Sequence, residues 1–381
     1  MNTERHAVVG AGIVGLALAR ALARRGCAVT VFEADAAPQG ASIRNFGTLW
    51  PIGQPAGARR TMALESLAIW REVLDDTGIW VGDEGSLHVA YHDDELDVLG
   101  EFMAAANADG FPCQLLTAGE VRERSPQVRR EGLRGGLWSR HELQINPRQV
   151  IQRLVPWLAE RSRVQFEFGA RVTSCRARTV AAAERTWRFE HIWLASGADT
   201  QTLYAAAFAE HGFRKCKLQM MRTSPVGWRL GPVLAGGLTL GHYESFKECP
   251  SLPRLRSRLA GDWPAQTAFG VHVLVSQHDR GEIVIGDSHE YDDAITPFDR
   301  PDIDELILDY LRTFFGSGEL RIAERWHGIY LKSPDGPYRV FSPDDDVTVV
   351  AGMGGHGMTL SFGAAETIVA ARMGSQHPAQ S

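Results

Sequence analysis

The chain opens on an apolar strand that breaks at a glycine turn and passes straight into a helix. His6-Ala7-Val8-Val9 runs into Gly10-Ala11-Gly12-Ile13-Val14-Gly15, and small and aliphatic residues continue from Leu16 to Ala23. After Gly26 a second apolar stretch, Ala28 to Phe32, ends on Glu33. This pattern constrains the fold tightly because each glycine has a separate steric task. Gly10 makes the tight turn, Gly12 lets the backbone approach a pyrophosphate, and Gly15 lets the helix pack closely on the strand. Free N–H groups and the dipole at the helix start, around Ile13 and Val14, favour negative charge there. Glu33, with Ala34 behind it, is placed to accept hydrogen bonds from ribose hydroxyls, which argues against NADP. The choice between NAD and FAD is open at this point.

At 381 residues the chain is too long for one ordinary core and suits two domains. Its net charge of −6 comes without a basic block, so nucleic acid is not an expected partner. No apolar run reaches membrane-spanning length and the chain enters a strand without a signal peptide. A cytoplasmic protein with no membrane partner is expected. The five cysteines (Cys27, Cys113, Cys175, Cys216 and Cys249) are scattered and form no CxxC pair, so neither disulfides nor a metal site is expected.

Along the chain, a Gly-, Pro- and Asn-rich loop spans 38–57, and apolar spacing predicts helices over 59–77 and 94–110 around a strand at 86–90. A helix opens at Asn146-Pro147 and runs towards Arg161, followed by a strand at 164–168. The buried stretch Ile192–Ala195 ends at Ser196-Gly197-Ala198. From about 215 to 325 the pattern turns to strands, with a hairpin across Asp279-Arg280-Gly281 as its clearest element. A helix over 303–315 precedes a last strand at 347–351, a glycine-rich turn, a closing helix, and a frayed polar tail after Gly374.

Strand–glycine-turn–helix units thus stand at both ends of the chain. In this the sequence resembles the D-amino-acid oxidase family of FAD-dependent oxidoreductases, which includes glycine oxidase and sarcosine oxidase. Four places carry the resemblance: the fingerprint with Glu33; the loop Gly40-Ala41-Ser42-Ile43-Arg44-Asn45-Phe46-Gly47; Leu194-Ala195-Ser196-Gly197-Ala198; and Ala351-Gly352-Met353-Gly354-Gly355-His356-Gly357-Met358. In the family the last of these lies against the flavin, which favours FAD over NAD. The resemblance implies an α/β fold with a discontinuous Rossmann-type FAD domain (1–85, 145–214, 325–381) and an inserted mixed-sheet substrate domain (86–144, 215–324). It also implies FAD contacts at Ser42, Arg44, Asn45, Phe46, Gly47, Val172, Ala195, Ser196, Gly197, Gly354, Gly355, His356, Gly357, Met358 and Thr359, beside the fingerprint residues.

Two departures from the family pattern bear on chemistry. Sarcosine oxidase-like members attach flavin through a cysteine in Cys-x-Tyr-x-x-x-Pro-Asp. Here the segment is Gly328-Ile329-Tyr330-Leu331-Lys332-Ser333-Pro334-Asp335, so non-covalent FAD is expected. The arginine that grips a carboxylate in the glycine oxidase-like branch is replaced by Tyr330, and the corresponding lysine of the sarcosine oxidase-like branch by Thr359. The segment Arg44 to Pro55 also looks like a branch proposed to oxidise aminophosphonates. Together these imply oxidation of a small primary or secondary amine, sharpest as a 2-aminoethylphosphonate, to an imine that hydrolyses to an aldehyde. Oxygen or another acceptor would take the electrons. The alternatives are a glycine- or sarcosine-type amino-acid oxidase, a 2-hydroxy-acid dehydrogenase, and a flavin-holding partner protein without turnover.

A phosphonate carries nearly two charges and three acceptor oxygens, so its pocket should hold more than one cation. Arg44, Arg222 and Lys332 are the candidates, with Trp50, Met220, Tyr243 and Tyr330 as candidate walls. His356, Arg44, Tyr330 and Lys332 are the candidate catalytic residues. His356 is read first as a brace for its turn and second as a positive charge beside the flavin. His289 is read first as a satisfied surface histidine.

Overall fold

A computed structural model describes residues 3–374 apart from Ser317 and Glu319. The tail after Gly374 lies outside the described residues. The first strand, Arg5–Val9, pairs in parallel with Ala28–Phe32 on one side and His191–Leu194 on the other. Val164–Glu167 and Val347–Ala351 extend this sheet in parallel, and Arg339–Asp344 closes one edge antiparallel. Parallel strands need cover on both faces, and every residue of Val347–Ala351 is buried. Helices Ile13–Arg24, Ala58–Thr77, Pro147–Arg161 and Gly357–Gly374 contribute to the core on one face, including Leu16, Trp70, Ile151 and Phe362. A three-stranded ribbon (Val172–Arg176, Thr179–Ala182, Arg185–Arg188) and helix Ala205–Glu210 contribute to the other.

The second, nine-stranded sheet is dominated by Arg214–Thr223 and Ile322–Lys332, which run antiparallel with Cys216 opposite Tyr330. Ile283–Gly286 and Leu274–Gln277 continue it as the expected hairpin, then Val233–Ala235, Ser86–Ala90, Gly135–Ser139 and Cys113–Thr117. Helices Asp93–Ala108, Leu252–Asp262 and Pro301–Phe314 pack into its core. A third small sheet joins Thr48–Leu49, Leu143–Ile145 and Val81–Gly82.

Two sequence expectations change. The stretch 215–325 is not only strands: Leu238–His242, Leu252–Asp262 and Pro264–Ala268 are helical. In the longest of these, Leu252, Leu255 and Leu259 make the buried stripe while arginines fill the other faces. The boundary drawn at 325 also cuts through the strand Ile322–Lys332, which belongs to the larger sheet.

Trp70 joins the helix layer to the closing turn. It is fully buried, meets Phe362 edge-on at 4.8 Å, and donates its indole N–H to the Met358 carbonyl at 2.8 Å. Trp70→Ala should destabilise the protein by about 3–5 kcal/mol. Trp70→Phe, which keeps a ring and loses the hydrogen bond, should cost only about 1–3 kcal/mol. Urea denaturation of the two variants checks the order.

Candidate active site

The glycine turn is held by backbone against backbone. Gly10 sits at φ +105°, and a Cβ there would lie 2.3 Å from the Ala195 carbonyl oxygen. A Cβ on Gly15 would stand 1.8 Å from the Gly10 carbonyl oxygen. Neither position has room for a side chain. Gly12 caps the helix Ile13–Arg24 without a side-chain hydrogen bond, leaving the helix entrance open. Ser42 accepts the Ile13 N–H at 2.9 Å, bringing the loop at 40–47 over that entrance. Glu33 is fixed by the backbone N–H groups of Ala11 (3.0 Å) and Asp35 (3.2 Å), with its carboxylate at the mouth of the turn.

From this turn a cavity of about 680 Å³ extends to the larger sheet. Such a volume falls within the rough 300–1,000 Å³ range of ligand and cofactor sites. Gly10, Gly12, Ile13, Val14, Glu33 and Ala34 line one end. Ser42, Arg44, Asn45, Phe46, Val172, Ala195, Ser196 and Gly197 line it further along, as do Gly354, Gly355, His356, Gly357, Met358 and Thr359. Trp50, Met220, Tyr243, Tyr330 and Lys332 line the far chamber.

Three expected site residues do not line it. Gly15 is spent on helix–strand packing. Gly47 sits at φ +72°, and a Cβ there would lie 1.8 Å from the Ile145 carbonyl oxygen, so it too serves a backbone contact. Arg222 is a correction to the expected substrate cations. Its guanidinium is engaged by Glu324 and Glu282 and is absent from the cavity wall.

Side chains across the cavity hold the closing turn in place. Thr359 Oγ1 accepts the Trp50 N–H at 2.9 Å, and Gln54 Nε2 lies 3.1 Å from His356 Nδ1 as its donor. Burial pushes His356 down to about 4, so near neutrality its imidazole is uncharged and braces the turn. The positive-charge role finds no support in this environment.

The chamber is polar in an unusual way. Arg44 donates to the His327 carbonyl at 3.2 Å, and Lys332 Nζ lies 3.4 Å from Tyr291 Oη. Among the described residues neither cation has a carboxylate at ion-pair distance. Burial also raises the Tyr243 and Tyr330 phenols well above their ordinary value, so both stay protonated. His289 is not on the surface: it is 9% exposed, lines the chamber, and its Nδ1 donates to the Gly270 carbonyl at 3.1 Å. His242, His272 and Asp287 join it there. Sequence reasoning passed over these three. The available signal was the hairpin itself, whose pairing sets residue 272 opposite residue 287.

The residues present fit a dinucleotide cofactor. The turn closes only because Gly10 and Gly15 lack Cβ atoms, the helix entrance carries no acidic side chain in its first turn, and Glu33 stands fixed at the mouth of the turn. The sequence matches the family described as FAD dependent oxidoreductase, DAO, across residues 5–371. The chain belongs to this family. It is an FAD-dependent oxidoreductase.

A glycine oxidase from Geobacillus kaustophilus (strain HTA426) is 28% identical over 176 residues, 44% of this chain and 47% of that protein. The chain therefore aligns with about half the length of this curated relative. Over almost the whole chain, the structure is similar to glycine oxidase from Bacillus cereus ATCC 14579 (TM-score 0.79, 18% identity, 98% of this chain and 96% of that one). It is similar to L-proline dehydrogenase from P. horikoshii as well (TM-score 0.80, 19% identity, 98% and 94%). At these identities the likeness is one of fold. No helix among the described residues is long and apolar enough to cross a membrane. All five cysteines are free and buried.

Gly10→Ala should purify without flavin, since its Cβ meets the Ala195 carbonyl. Glu33→Gln should keep FAD with affinity lowered about tenfold, the loss of one charge-assisted hydrogen bond. The flavin-to-protein absorbance ratio and fluorescence titration of apoprotein with FAD check both.

Proposed function

We propose that the protein oxidises a small amine carrying a phosphonate, of the 2-aminoethylphosphonate type, bound between the FAD cradle and the larger sheet. One observation carries this reading. The chamber that continues from the cradle contains two cations without carboxylate partners, Arg44 and Lys332. Tyr330 and Thr359 stand where the resemblance implies the carboxylate-gripping arginine and lysine. Thr359 is already engaged by the Trp50 backbone.

On this reading FAD lies along the cradle residues named above, and supplies a hydride acceptor for the carbon beside the amine nitrogen. The protein positions and desolvates. Arg44 and Lys332 neutralise the anionic end of the substrate, and Trp50 and Met220 form an apolar wall that keeps water from the amine end. The substrate must react with its nitrogen deprotonated, because an ammonium holds no lone pair to form the C=N bond as the neighbouring carbon gives up hydride. The imine product hydrolyses to an aldehyde once released, and oxygen or another acceptor takes the electrons. Gly328 leaves no thiol for a covalent flavin link at that position.

A second reading is supported by the relative named glycine oxidase, namely oxidation of glycine or a related amino acid. Anaerobic reduction of the holoenzyme by a panel of compounds separates the two. Bleaching of the flavin band by 2-aminoethylphosphonate or its N-methyl form, and not by glycine, sarcosine or 2-hydroxyglutarate, is the expected result. Bleaching by glycine or sarcosine alone would return the protein to amino-acid oxidation. Bleaching by none of the panel would leave a flavin-holding protein. Acid precipitation should release the flavin to the supernatant in full; yellow pellets would show a covalent link.

A further inference from the structure

The far chamber contains a histidine cluster that the reading above does not use. The imidazoles of His242 and His272 stack at 3.7 Å between centroids and 12° between planes, and His289 lies 4.7 Å and 5.1 Å from them. The two strand ends that bear His272 and Asp287 are tied by backbone hydrogen bonds in both directions, 3.0 and 3.2 Å. His272 Nδ1 stands 2.9 Å from the Asp287 carboxylate. His289 Nδ1 is committed to the Gly270 carbonyl. The Nε2 edges of His272 and His289 face the cavity, and His242, at the end of its short helix, makes no side-chain hydrogen bond among the described residues. His289 therefore has one nitrogen anchored to the protein and one turned to the cavity, while His272 Nδ1 stands close to Asp287 without a formed hydrogen bond.

We propose that His242, His272 and His289 form the subsite for the dianionic, tetrahedral phosphonate end of the substrate, and that a proton enters with it. This assignment rests on the amine-oxidase reading above and names the site's anion-binding half.

The geometry favours an anion over a metal. The ligand nitrogens of the three rings lie within 4.8 Å of one another. However, two rings stacked face to face point their lone pairs along nearly parallel lines and do not converge on one ion. Parallel imidazole edges do suit separate oxygens of one tetrahedral group.

The groups facing the cluster set its charge. Lys332 and the neutral His356 approach His242. Asp287 and Lys332 approach His289. The protonated phenols of Tyr243 and Tyr330 face Asp287, which also lies against His272. Desolvation first, then repulsion from the neighbouring rings and Lys332, lowers His242, although its side chain stays solvent-accessible; burial chiefly holds His289 at about 4. Near neutrality these two rings are thus uncharged in the free protein. Asp287 offsets Lys332 and Arg44 leaves the chamber one positive charge, so a dianion calls for a second, which a protonated ring supplies. A dianion in contact raises the ring's proton affinity, and uptake occurs at pH values between the free and bound pKa. Affinity must then fall as pH rises through the bound-state value.

Isothermal titration of the holoenzyme with methylphosphonate tests this, because that probe has no amine to oxidise. Runs in two buffers of different ionisation enthalpy count protons. Expected is uptake of about one proton per methylphosphonate just above neutral pH. Binding should weaken about tenfold or more in His242→Gln and in His289→Gln, both checked for full flavin content. Acetate should bind without comparable uptake.

Wild-type binding with no proton uptake would overturn the proposal, as would a double variant that binds within twofold of wild type. So would loss of binding on treatment with EDTA, which would mean a metal-held site. If 2-aminoethylphosphonate bleaches the flavin while methylphosphonate binding ignores the histidines, the subsite fails and the substrate reading stands. If methylphosphonate binds with its proton but no aminophosphonate bleaches the flavin, the subsite stands and the substrate reading fails.

Discussion

The arrangement depends on one close approach, backbone against backbone, at the first turn of the chain. Gly15 packs against the Gly10 carbonyl, and Gly10 against the carbonyl of Ala195, the residue that follows the neighbouring parallel strand. These contacts set the distance between the first helix and the sheet, and so the width of the helix entrance where Ser42 and Glu33 converge. Everything beyond that entrance is referred to it. The loop at 40–47 reaches the entrance through Ser42 and continues to Arg44 and Trp50. Trp50 is then joined to the closing turn through Thr359. A polar ligand laid along this line is met in turn by free N–H groups, a fixed carboxylate, a neutral histidine brace and a pair of cations.

The far chamber is built by a different rule. Its walls come from two sheet strands, a short helix and the flavin-side loop, and its charges are balanced so that none is strongly committed. Among the described residues Arg44 and Lys332 lack carboxylate partners, while the second candidate arginine, Arg222, is held by two glutamates elsewhere. A buried imidazole such as His289 is costly to charge in the free protein and gains a proton more readily beside an anion.

Much of the cradle was legible in the sequence because glycine positions encode steric necessity directly. Gly10, Gly12 and Glu33 stand where the pattern put them, and helix Pro147–Arg161 starts at its asparagine and proline as expected. The helical part of 238–268 was harder to see. Leu252, Leu255 and Leu259 do carry a helical period, but the arginines between them dilute the apolar signal. The histidine cluster was not legible for a different reason. His242, His272 and His289 lie on three separate segments, and only the sheet register and the packing of the short helix bring their rings together. Arg222 lies in the stretch read as strand-rich, and its partners Glu282 and Glu324 are set by strands that no local pattern pairs.

A crystal structure of the oxidised holoenzyme with methylphosphonate bound tests the central claim most directly, because it locates the anion relative to both cradle and chamber. The account predicts phosphorus within hydrogen-bonding reach of His242, His272 and His289, with the flavin ring between that site and the Gly354–Thr359 turn. Phosphonate seated on Arg44 alone, or a flavin ring lying away from the chamber, would contradict it.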